Sequence, residues 1–128
     1  MVTESVHNKK MSFEKYDNTH YIVYLNEKVT ENYRNEDGDT FTAFSYAGTE
    51  TDGGTVIGID PDEQIQDALI NGVIRTRYTV SVEDAIKTHQ AILFNSPEHA
   101  KAADYRAEFT QFNEFRESCI ETVRGWLE

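Results

Sequence analysis

Apolar positions alternate along the first half of the chain and then, beyond residue 60, recur every three or four residues. Alternation is the period of a half-buried strand and the three-to-four spacing that of one helix face. His20–Leu25 is rich in aromatic and β-branched residues and predicts a strand, followed by a tight turn at Asn26-Glu27. Lys28–Arg34 alternates, with Val29 and Tyr33 on one face, and Thr40–Tyr46 alternates again. Between them Asn35-Glu36-Asp37-Gly38-Asp39 predicts a hairpin turn, because Asp-Gly supplies the positive φ that such turns need. Thr55–Ile59 completes the series, and four strands joined by short links most simply form an antiparallel meander.

The change of period falls at Asp60-Pro61-Asp62-Glu63, a cap-and-proline signal for a helix start. Ile65, Leu69, Ile70, Val73 and Ile74 form the stripe of a first helix ending near Thr76, with Gly72 inside it. Ser81 and Asp84 open a second, whose inner face carries Val82, Ala85, Ile86, His89 and Leu93. Asn95-Ser96-Pro97-Glu98 repeats the cap-then-proline signal and opens a third. The fold class expected is therefore α+β: a four-stranded antiparallel meander followed by three helices, the last long and aromatic-rich. The organisation expected is a flexible polar leader over 1–15 and one domain over 16–128, with its sheet in 16–59 and its helices in 60–128.

The third helix sets a problem of length. Tyr105, Phe109, Phe112, Phe115, Cys119, Ile120, Val123 and Trp126 step by three or four. A helix from Pro97 to Glu128 would run about 45 Å, whereas a domain of this size has a radius of gyration near 14 Å, or roughly 36 Å across. Such a helix must kink or find cover from another chain. Positions 105, 109, 112, 116, 119, 123 and 126 also fit a heptad alternation in which Arg116 is the one polar member, a device that sets register in self-associating helices. Trp and Arg are enriched at binding hot spots, and Arg124 lies beside Trp126. The candidate interaction residues are thus Phe115, Arg116, Ile120, Val123, Arg124 and Trp126, for a protein partner or a second copy.

Charge narrows the choice of partner. The 128 residues carry a formal net charge of −11, which disfavours nucleic-acid phosphates. Ten acids lie between Glu27 and Glu63 (Glu27, Glu31, Glu36, Asp37, Asp39, Glu50, Asp52, Asp60, Asp62, Glu63) against Lys28 and Arg34. That face is either a solvated surface or an imitation of DNA offered to a basic partner. No run of eighteen apolar residues exists, so no membrane span is expected. No apolar segment follows Lys9-Lys10, so no secretory signal is expected either. A cytoplasmic or virion-associated protein fits these features.

The chain offers few groups arranged for chemistry. His7, His20, His89 and His99 lack a partner at ligand spacing and Cys119 is the only cysteine, so neither zinc nor a disulfide is expected. Asp37-Gly38-Asp39 lacks the register of a calcium loop. The glycines of Asp52–Gly58 precede and interrupt a strand instead of opening a helix, and the acids that follow would repel a phosphate. No nucleophile signature occurs. His89 is the histidine to watch, read first as a hydrogen-bonded packing residue. No cofactor and no catalytic residue is expected.

Three stretches carry a resemblance. They are Asn18–Asn26, Ala68–Ile86 (a helix ending Ile-Arg-Thr-Arg-Tyr-Thr, then Glu83-Asp84-Ala85-Ile86), and Tyr105-Arg106-x-x-Phe109-x-x-Phe112-x-x-Phe115-Arg116-x-x-Cys119. Together they resemble small proteins encoded in tailed phages and prophages near tail-fibre or baseplate genes. The likeness implies a non-enzymatic, tail-associated protein that works through protein–protein contacts. Two alternatives stay open: an acidic DNA mimic acting against host defence, and a small ligand-binding domain with a pocket joining His89 to acids of the sheet.

Overall fold

In the computed structural model, which describes residues 2–128, the chain forms two compact units, Met1–Pro61 and Asp62–Glu128. The first is all β and the second all α, so the change of period near residue 60 coincides with a division of the chain.

The β unit holds six strands: β1 (Thr3–His7), β2 (Phe13–Asp17), β3 (His20–Val23), β4 (Lys28–Arg34), β5 (Thr40–Gly48) and β6 (Thr55–Gly58). They make two three-stranded antiparallel sheets in the orders β1-β5-β4 and β2-β3-β6. The four expected strands are present, but not as a meander: β3 pairs with β2 and β6 and never with β4. The cause lies in the stretch expected to be a leader. Thr3–His7 pairs along one edge of β5 and Phe13–Asp17 along one edge of β3, so each takes a place that a meander would have given to another strand. Strand pairing uses backbone groups, which polar residues supply as well as apolar ones, and composition therefore hid both.

The turns follow the residues. Asn26 takes φ 58° between β3 and β4, and Gly38 takes φ 84° at the β4–β5 hairpin. Asn35 holds that hairpin, its Oδ1 accepting from the amides of Asp37 and Asp39 at 3.0 Å each. The glycines after β5 have a packing role. A Cβ on Gly48 would stand 2.2 Å from the Gly54 carbonyl oxygen, and Gly53 combines φ +85° with 2.5 Å to the Tyr46 carbonyl.

The β core is built on two tyrosines. Tyr24 and Tyr46 are 3% and 1% exposed and meet edge to face at 5.6 Å. The His7 ring lies 5.9 Å from each. A buried hydroxyl needs a partner. Tyr24 donates to Asp52 Oδ2 at 2.7 Å; Tyr46 donates to Glu27 Oε2 at 2.7 Å and accepts the Met11 amide at 2.8 Å. His7 Nε2 donates to the Asp52 carbonyl at 2.8 Å, which ties β1 to the β5–β6 loop.

The α unit consists of α1 (Ile65–Arg75), α2 (Val80–Asn95) and α3 (Ala102–Leu127). Both proline signals lie ahead of their helices. α1 starts after Gln64, which makes no side-chain cap, and α3 after Lys101, likewise uncapped. Ser96 instead closes α2, its amide donating to the Ile92 carbonyl at 2.8 Å. A proline bars continuation of the preceding helix without obliging the next to begin at once. At α2 the cap is Thr79 and not Ser81: its side chain accepts the Val82 amide at 3.1 Å.

α3 is continuous over 26 residues, about 39 Å at 1.5 Å per residue. Cover for one side of its length comes from the two preceding helices. α1 and α2, of 11 and 16 residues, pack on it in succession. Gln90 of α2 bonds the Tyr105 carbonyl near one end, while Ile70 and Ile74 of α1 face Arg116 and Ile120 toward the other. Between them Tyr78 sets its ring on Phe112 at 5.0 Å and on Phe115 at 5.7 Å. Arg75 fastens the same turn, donating to the Tyr78 carbonyl at 3.2 Å and to Glu83 at 2.5 Å. No helix among the described residues is long and apolar enough to cross a membrane.

Candidate interaction surface

Since α1 and α2 cover one side of α3, the expected interaction residues separate by the side on which they fall. Val123 is 0% exposed and offers no surface to a partner. Phe115 is half-buried beneath Tyr78, with the Arg77 guanidinium 5.1 Å above its ring. Both serve the packing of the α unit: Val123 and Phe115 stand four positions either side of buried Cys119, on its side of the helix. Arg124 is exposed and Trp126 half-buried at the final turn.

Arg116 and Ile120 have a different setting. They line one side of an open groove of about 410 Å³ whose other side is α1. Ile70, Ile74 and Ile120 supply its apolar lining, Glu63 and Asp67 its negative charge, and Arg116 its positive charge. The opposite charges do not meet. Among the described residues no cation lies within 4.0 Å of Glu63 or Asp67, and Glu63 accepts only from the Asn71 amide at 3.3 Å. Arg116 pairs with its neighbour Glu117 at 3.4 Å, with the arginine side chain 46% exposed.

The heptad step carries this flank along α3. Phe109 lies seven residues before Arg116, and Leu127 seven after Ile120, so the four share one side. Phe109 and Leu127 are 37% and 38% exposed. Neither stood in the expected interaction set. Their exposure depends on where α1 and α2 lie, and periodicity alone could not distinguish the covered side from its flank.

Other chemical candidates resolve into packing. His89 Nδ1 is hydrogen-bonded to the Glu108 carboxylate, and its ring stacks on Tyr105 at 4.0 Å with an 8° interplanar angle. His99 stacks on the same tyrosine at 5.4 Å. Cys119 is 2% exposed, and burial pushes its thiol up to about 11. No group of three or more His, Cys, Asp or Glu is placed to hold a metal among the described residues. Two of the ten acids between Glu27 and Glu63 serve the β core instead of forming a uniform face. The Tyr24 hydroxyl holds the Asp52 carboxyl below its ordinary range, with the Gly54 amide assisting against the opposing effect of burial. Glu27 takes the Tyr46 hydroxyl and Lys10 at 3.1 Å.

Compared with models of known families, with curated proteins and with solved structures, the chain matches none.

Proposed function

We propose that this protein works by protein–protein contact through the outer flank of α3, in the structural or assembly role that the phage-protein likeness implies, and performs no catalysis. The observation carrying this reading is the α1–α3 groove, whose apolar lining is accompanied by carboxylates and an arginine that form no ion pair with one another. Interfaces are built in this way, with an apolar centre and complementary charge around it. A photo-crosslinking residue at position 120, introduced in the producing cell, should capture a protein. The same residue at exposed Ser118, on the far side of the helix, should not. Equal capture at both positions, or none at 120, would sink the reading.

A second reading has one observation in its favour. Glu31, Glu36, Asp37 and Asp39 are all exposed on the β4–β5 hairpin, and an acidic decoy would present them to a basic nucleic-acid-binding protein. It predicts binding that weakens steeply with salt and is lost when Glu36, Asp37 and Asp39 become Gln, Asn and Asn. Those changes leave the first reading untouched.

A further inference from the structure

We infer that the occupant of this flank is a second copy of the chain, laid antiparallel so that each copy's Arg116 enters the other's α1–α3 groove; the inference rests on the contact reading above. The positions themselves are the first ground. Phe109 and Leu127 share a midpoint with Arg116 and Ile120, at residue 118. A two-fold axis there sets Phe109 against the partner's Leu127 and Arg116 against the partner's Ile120. Each exposed apolar residue thereby meets another, as an isologous interface requires.

Charge is the second ground. A partner arginine opposite Ile120 enters the groove lined by Ile70, Ile74 and Ile120, where its methylene stem has apolar cover. At the same groove stand Glu63 and Asp67, carboxylates with no cation within 4.0 Å among the described residues. A guanidinium is the group that best matches a carboxylate in geometry. The groove thus contains both the arginine that fills its twin and the acids that receive one. Among the described residues of a single copy, Arg116 pairs with Glu117 alone.

The two copies carry −11 each, a repulsion largely screened at about 0.15 M salt, where the Debye length is about 8 Å. The four α3 side chains and the four groove residues Glu63, Asp67, Ile70 and Ile74 still make a small interface, so dissociation in the range of about 10 µM to 1 mM is expected.

Sedimentation equilibrium of the full chain at that salt should show mass rising from one chain toward two across the range. Arg116→Asp should weaken association at least tenfold, as should Asp67→Arg. The double variant Arg116→Asp/Asp67→Arg should restore it, a rescue that a merely misfolded variant would not give. On oxidation, a mixture of Phe109→Cys and Leu127→Cys proteins should form the mixed disulfide in preference to either symmetrical one. A one-chain mass at about 1 mM overturns the inference, as does failed rescue or a preference for the 109–109 disulfide. The crosslink at position 120 then separates the two levels: an adduct to a different protein ends this inference and leaves the contact reading standing, whereas no adduct at all ends both.

Discussion

The ring of Tyr78 meets that of Phe112 edge to face, with centroids 5.0 Å apart and planes at 88°. The contact seats the α1–α2 turn on the middle of α3 and makes two short helices into a cover for one long one. Phe112 is 3% exposed, so Phe112→Ala should cost about 3–5 kcal/mol, the range for a buried phenylalanine. Tyr78→Phe keeps the ring and should lie within about 1 kcal/mol of the parent. Urea unfolding followed by helical circular dichroism checks both.

Glu83 gives the same turn a dependence on pH. Burial acts to raise its carboxyl, but the hydrogen bonds from Lys87 and Arg75 outweigh that and hold it below the ordinary 4.5. A depressed carboxylate stabilises the fold above its unfolded value and loses that contribution as pH falls through the folded value. Glu83→Gln should therefore lower Tm at pH 7, and the gap from the parent should close as pH falls below 4.5. A gap independent of pH would refute the assignment.

In the β unit the tyrosines give the opposite sign. Burial first, then the bond to Glu27, pushes Tyr46 up to about 12; burial first, then the bond to Asp52, raises Tyr24 as well. A raised tyrosine contributes stability that is whole below the ordinary 10 and is lost as pH rises toward the folded value. Tyr24 and Tyr46 should then titrate late by ultraviolet absorbance, and the β unit should lose stability above pH 10. Asp52→Ala strands the Tyr24 hydroxyl and should cost about 1–3 kcal/mol.

Cys119 supplies a probe of the helical packing. With the thiol 2% exposed and pushed up to about 11, the thiolate that alkylating reagents attack is scarce at neutral pH. Labelling at pH 7.5 should be at least a hundredfold slower in the native protein than in denaturant. Phe112→Ala should accelerate it.

Local patterns determined the elements from His20 onward. The α+β class, the hairpin at Gly38 and the break near residue 60 all rest on period and turn chemistry, which act between neighbours along the chain. The sequence marked Arg116 as the one polar member of the heptad series and Ile120 as part of the apolar stripe, but that the two line one groove with α1 was not legible in it. Tertiary structure alone decided three things. It made strands of Thr3–His7 and Phe13–Asp17, because backbone pairing is indifferent to the polar side chains that disguised them. It placed Val123 and Phe115 against the cover helices and left Phe109 and Leu127 at the edge, because a stripe records apolar content and not the direction from which cover arrives. It drew Asp52 and Glu27 out of an apparent acidic face, since two buried hydroxyls required acceptors and these carboxylates lay within reach.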